Sequence, residues 1–256
     1  MLRKLILAAL LLTATFSARA VDYTDVYWDV LETGWGAFLV QSDTFQFIAF
    51  YIYGADGKPT WYTAQLTNDG TGNYTGTLYA TTGTYFADPW QGDNINPAGT
   101  ATFQPIDDYH ATLSYTVTGV GTVMKTVQRQ TLTPYVLSGN YSGSLSGSVT
   151  GCPNPANNVP LAYRFNVTVS QVADQLATLS FTIVDASNAV CTISGALTHF
   201  GRLYQIANAA YQCPLSTATQ ATVDHLGAID HGIEGRWTAN DGQGCKESIH
   251  FAAVLP

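Results

Sequence analysis

Apolar and polar residues alternate along most of this chain. Glycine, asparagine, aspartate or proline interrupts the alternation at intervals of about 8–12 residues. Helical periodicity is nearly absent, so the chain is confined to all-β folds of short strands, a sandwich or a barrel. The clearest example is Leu161, Tyr163, Phe165, Val167 and Val169, interleaved with Ala162, Arg164, Asn166, Thr168 and Ser170. Such a strand buries one face and wets the other.

The pattern predicts strands at residues 35–42, 44–54, 60–66, 73–80, 99–104, 111–119 and 122–130 in the first half. Asp56-Gly57 supplies the positive φ of a tight hairpin, and residues 70–72 do the same. Residues 86–97, with Trp90, form the one long predicted loop and a candidate binding loop. Eight strands follow at 140–148, 161–170, 177–184, 190–198, 203–211, 221–229, 233–239 and 247–254. An even count lets an up-and-down meander close on its own first strand. The division falls near residues 133–137. Four of the five tryptophans lie before it and all four cysteines after it. The expected fold is all-β: an aromatic-rich domain at 21–134 and an eight-stranded barrel at 135–256, in tandem and antiparallel throughout.

Four cysteines allow three pairings. In the predicted meander Cys152 follows the first strand and Cys245 precedes the last, so the two are neighbours. Cys191 opens the fourth strand and Cys213 follows the fifth. Cys152–Cys245 with Cys191–Cys213 therefore puts both bridges on one rim. A zinc site is the competing use, but no Cys-x-x-Cys or His-x-x-x-His spacing supports it.

Disulfides imply an oxidising compartment, and the N-terminus agrees. Arg3 and Lys4 precede an apolar run, Leu5 to Leu12, and a small-x-small site follows at Ala18-Arg19-Ala20. Residues 1–20 read as a secretory signal, too short for a membrane span. The expected location is periplasmic or extracellular. Removing Arg3, Lys4 and Arg19 with the leader takes the formal charge from −8 to −11. With no basic run, nucleic acid is not an expected partner.

Glu32-Thr33-Gly34-Trp35-Gly36 begins a series of short blocks. Phe50-Tyr51-Ile52-Tyr53, Asp56-Gly57-Lys58-Pro59-Thr60-Trp61-Tyr62, Tyr74-Thr75-Gly76-Thr77-Leu78-Tyr79, Thr82-Gly83 and Gly99-Thr100-Ala101-Thr102-Phe103 follow in order. Together they resemble the glycine-tryptophan-glycine β-repeat module of exported proteobacterial proteins, over about residues 28–132. The resemblance implies an exported β domain and carries over no catalytic residue. The second half is similar to lipocalin-like or avidin-like barrels in topology alone.

Residues 44–54 are apolar on both faces, with Phe45, Phe47, Ala49, Tyr51 and Tyr53 on one and Ile48, Phe50 and Ile52 on the other. One face fills a core. The other must meet the second domain, another subunit or a ligand. Trp35, Trp61, Tyr62, Tyr79 and Trp90 are the candidate ligand-binding residues, rings that offer apolar area with a polar handle. No Gly-x-Ser-x-Gly motif occurs. Asp224-His225 and Asp230-His231 are adjacent but point to opposite strand faces. The expectation is thus a non-enzymatic binding or surface-interaction protein without cofactor or metal. Its partner would be a glycan, a small amphipathic ligand, an envelope protein or a second copy. The alternatives are a secreted hydrolase using loop-borne His199, His225 or His231, and a structural component of the envelope.

Overall fold

The computed structural model describes residues 21–173, 175–185 and 187–256, so the predicted leader lies outside the described residues. The first half forms β1 (Asp25–Trp28), β2 (Gly36–Ser42), β3 (Phe45–Tyr53), β4 (Pro59–Asn68), β5 (Tyr74–Gly83), β6 (Asp93–Pro105), β7 (His110–Val117) and β8 (Gly121–Arg129). Consecutive strands pair antiparallel and β1 pairs β8, which closes a barrel. Inward positions carry Leu39, Ile48, Phe50, Leu66, Leu78 and Phe103, all 2 % exposed or less. Each such side chain stabilises the fold by roughly 1.5–3 kcal/mol. The Asp56-Gly57 turn forms as expected: Gly57 has φ 72° and the Asp56 carboxylate accepts the Lys58 N–H at 3.1 Å.

Two features differ from the sequence pattern. β1 was not expected, because four residues are too few to show an alternation, yet Tyr27↔Arg129 and Trp28↔Gln128 close the barrel. The predicted long loop is also shorter, since β6 starts at Asp93 and pairs with Gly83. Asn94, Asn96 and Pro97 read as loop residues. A proline is tolerated there because β7 pairs with β6 only from Gly99 onward, leaving that edge open. Residues 80–83 and 93–96 therefore project as a two-stranded arm tipped by residues 84–92.

The second half forms β9 (Gly139–Thr150), β10 (Pro160–Val172), β11 (Leu176–Ile183), β12 (Val190–Ala196), β13 (Thr198–Phe200), β14 (Leu203–Gln212), β15 (Gln220–Ile229), β16 (Gly232–Asn240) and β17 (Lys246–Val254). β13 continues the line of β12 after an interruption at Leu197. Pairings β9–β17 and β12–β14 close an eight-stranded meander. Cys152 is bonded to Cys245 and Cys191 to Cys213. The chain direction puts both bridges on one rim, as the spacing predicts.

The opposite rim of this barrel meets the first. Arg236 pairs with Asp224 of its own barrel and Asp108 of the other. Arg202 pairs with Asp22, and its backbone N–H donates to the Asp25 carboxylate at 3.3 Å. Arg129 is fully buried on the first-barrel side and donates to Asp25 at 3.0 Å and to the Asp22 and Asp108 carbonyls at 2.7 Å. Such charges lose their water and hold only where hydrogen bonds replace it. The barrels are therefore joined near rim to near rim by ion pairs and hydrogen bonds.

Candidate functional site

Both interiors are occupied by packed side chains. In the second barrel Phe165, Phe181, Trp237 and Phe251 form a connected ring cluster with centroids 5.0–6.2 Å apart. Apolar filling inside and polar residues on much of the outside is the reverse of a membrane-spanning barrel. Among the described residues no helix is long and apolar enough to cross a membrane.

The outside of the first barrel is divided in two. Strands β5–β8 show threonine and serine, with Thr75 bonded to Thr102 at 3.2 Å and Thr116 to Thr122 at 2.8 Å. Strands β2–β4 instead show Phe38, Val40, Phe47, Tyr51, Tyr53 and Trp61, all exposed. Strand register makes these one patch. Val40 lies opposite Phe47, Tyr51 opposite Trp61, and the Phe38 and Tyr51 rings meet edge to face at 5.3 Å. The outer face of β3 does not meet the second barrel, which removes that option for the doubly apolar strand. Its inner face, Ile48 and Phe50, fills the core as expected.

The five candidate rings are not brought together. Trp61 (53 % exposed) and Tyr79 point outward, on β4 and β5. Tyr62, adjacent to Trp61, points inward and packs against the core. Trp90 (72 % exposed) lies on the tip of the arm, beside Tyr85 and Phe86. Trp35 is 9 % exposed and plugs the far mouth of the first barrel. Its Nε1 donates to the Tyr115 hydroxyl at 3.4 Å, and the Lys125 ammonium lies 5.3 Å from its ring centre while pairing with Glu32. Of the flanking glycines, Gly34 is required by backbone conformation and packing. Gly34 has φ 85°, and a β-carbon there would lie 2.5 Å from the Tyr53 hydroxyl. Phe38, Val40, Phe47, Tyr51 and Tyr53 are the members of the outer patch missing from the candidates. Their signal was the second apolar face of β3, extended to its neighbours by parity.

The histidines are dispersed. His199 stacks on Tyr204 with centroids 4.1 Å apart, His225 lies in the inter-barrel contact, and His231 pairs with Asp230 at an exposed turn. Among the described residues no group of three His, Cys, Asp or Glu side chains could hold a metal. An open cleft of about 360 Å³ lies outside β8, lined by Val30, Leu31 and Met124 among others.

The fold and its surface define a disulfide-bonded, two-barrel all-β protein with an exposed aromatic face. No family model and no curated protein matches the chain. Among solved structures it is similar to the isotype 1 transferrin binding protein B from serogroup B Neisseria meningitidis. The identity is 10 %, over 87 % of this chain and 66 % of that one, at a TM-score of 0.25. The chain thus spans somewhat less than two thirds of that protein, and a likeness at this level carries no argument.

Proposed function

We propose that this is an exported, non-enzymatic surface-interaction protein that engages another protein through the outside of its first barrel. One observation carries the reading. Among the described residues every exposed large aromatic side chain precedes residue 136, and most lie on the β2–β4 face or the arm. Exposed apolar patches of this kind mark interaction sites. Filled barrels support a protein over a small amphipathic ligand, which needs a concave site. The convex, uncharged face supports it over a glycan held in a groove. Two disulfides support maturation in an oxidising compartment. The first barrel is read as one copy of the glycine-tryptophan-glycine module, whose blocks run in order from the turn before β2 to β6.

The test is a photocrosslinker at position 51 in cells that export the protein, followed by purification of the crosslinked protein. The purified partner should bind wild type and lose about thirtyfold in affinity with Trp61→Glu, the scale of a central anchor residue. Binding confined to a glycan array or to lipid vesicles, with no protein partner, would overturn the reading.

A further inference from the structure

Strands β2–β4 are paired on both sides within the barrel wall, so their outer face can be covered only by side chains packing on side chains. The chain carries 18 acidic against 10 basic residues, and two copies repel over most of their surface. The outward positions of β2–β4 hold no Asp, Glu, Lys or Arg. Two copies of this face can meet without opposing like charges and without burying an unpaired one.

The register of the face leaves a place for a partner's ring as well. Ala49 lies between Phe47 and Tyr51 on the outward side of β3, with Phe38 opposite on β2 and Thr63 opposite on β4. A small residue ringed by larger ones leaves a hollow that a ring can enter. Phe38, Val40, Phe47, Tyr51, Tyr53 and Trp61 together expose roughly 700 Å², and each partner of a stable complex buries about 600–1,000 Å².

Resting on the protein-binding role of this face, we propose that its occupant is a second copy of the chain. The contact is isologous, with Ala49 close to the two-fold axis and the Tyr51 and Trp61 rings of each copy seated on β3 of the other. The arm stays outside this contact.

Sedimentation of the full exported chain tests this. A concentration-dependent dimer is expected, with its dissociation constant raised at least about thirtyfold by Trp61→Glu or Tyr51→Glu. Both side chains are exposed, so circular dichroism and melting of the dissociated variants should match the wild-type monomer. All four native cysteines are paired, so Ala49→Cys should oxidise to a covalent dimer without a competing thiol. A wild-type monomer throughout, a dimer indifferent to both glutamates, or a dimer that position 49 fails to crosslink would each overturn the proposal. A monomer that still binds the protein captured at position 51 would overturn self-association alone. A monomer with no protein partner would remove the wider reading too.

Discussion

The Tyr109 hydroxyl, from the first barrel, accepts the backbone N–H of His225, from the second, at 2.8 Å. The same oxygen donates to the Tyr204 carbonyl at 3.4 Å, and the ring stacks on Phe200 with centroids 4.7 Å apart. Burial holds this phenol well above the usual tyrosine range. One side chain thus serves both backbone satisfaction and ring packing across the contact.

Tyr109→Phe keeps the stacking and leaves the His225 N–H without its acceptor. A buried donor left unpaired costs about 1–3 kcal/mol. Urea denaturation should show a lowered midpoint for the second barrel, and an unchanged midpoint would mean that water replaces the hydroxyl.

Protons should loosen the same contact. Burial, with the Arg236 guanidinium beside it, holds His225 below its usual value of 6.5. Asp108 and Glu234 face its two ring nitrogens at 3.8 Å, and Arg129 also acts on it. The unfolded chain therefore binds the proton more readily, and stability falls as pH drops through about 6.5. His225→Asn tolerates the positive φ of 51° at this bulge and should flatten that slope in denaturant midpoints measured either side of pH 6.5.

The tryptophans should separate sharply by stability. Trp35→Ala empties the barrel mouth and should cost about 3–5 kcal/mol, whereas Trp90→Ala, on the arm, should stay within about 0.5 kcal/mol. Gly34→Ala should also destabilise, because Tyr53 occupies the space a β-carbon needs. Thermal melts of the three variants check this ordering.

The two disulfides should differ in worth. Cys152–Cys245 spans 93 residues and Cys191–Cys213 spans 22. Chain entropy alone gives about 4–5 kcal/mol for the longer loop and about 3 for the shorter. Double serine variants of each pair, compared by guanidinium unfolding, should rank in that order.

Much of the fold was readable from strand rhythm. The alternation of 161–170 and the four cysteine positions together specify a closed meander and its pairing. β1 was hidden because closure there rests on two register pairs, which no local pattern reports. The binding face was half readable. The doubly apolar β3 marked it, but grouping Trp61 with Tyr62 overlooked strand parity, which sends them to opposite sides of the barrel wall. Trp35 looked like a contact residue because glycines flank it, yet Gly34 makes room for Tyr53 and the ring itself is buried. The inter-barrel contact was not readable at all. Asp108 and Arg236 are separated by 128 residues, and nothing in either neighbourhood announces the other.

The sulfur bridges lie at the rim of the second barrel turned away from the first, while ion pairs and His225 crowd the rim that touches it. Each end of that barrel consequently answers to its own chemical signal. A reductant would act on the outer end, whereas acid would weaken the junction with both cross-links in place.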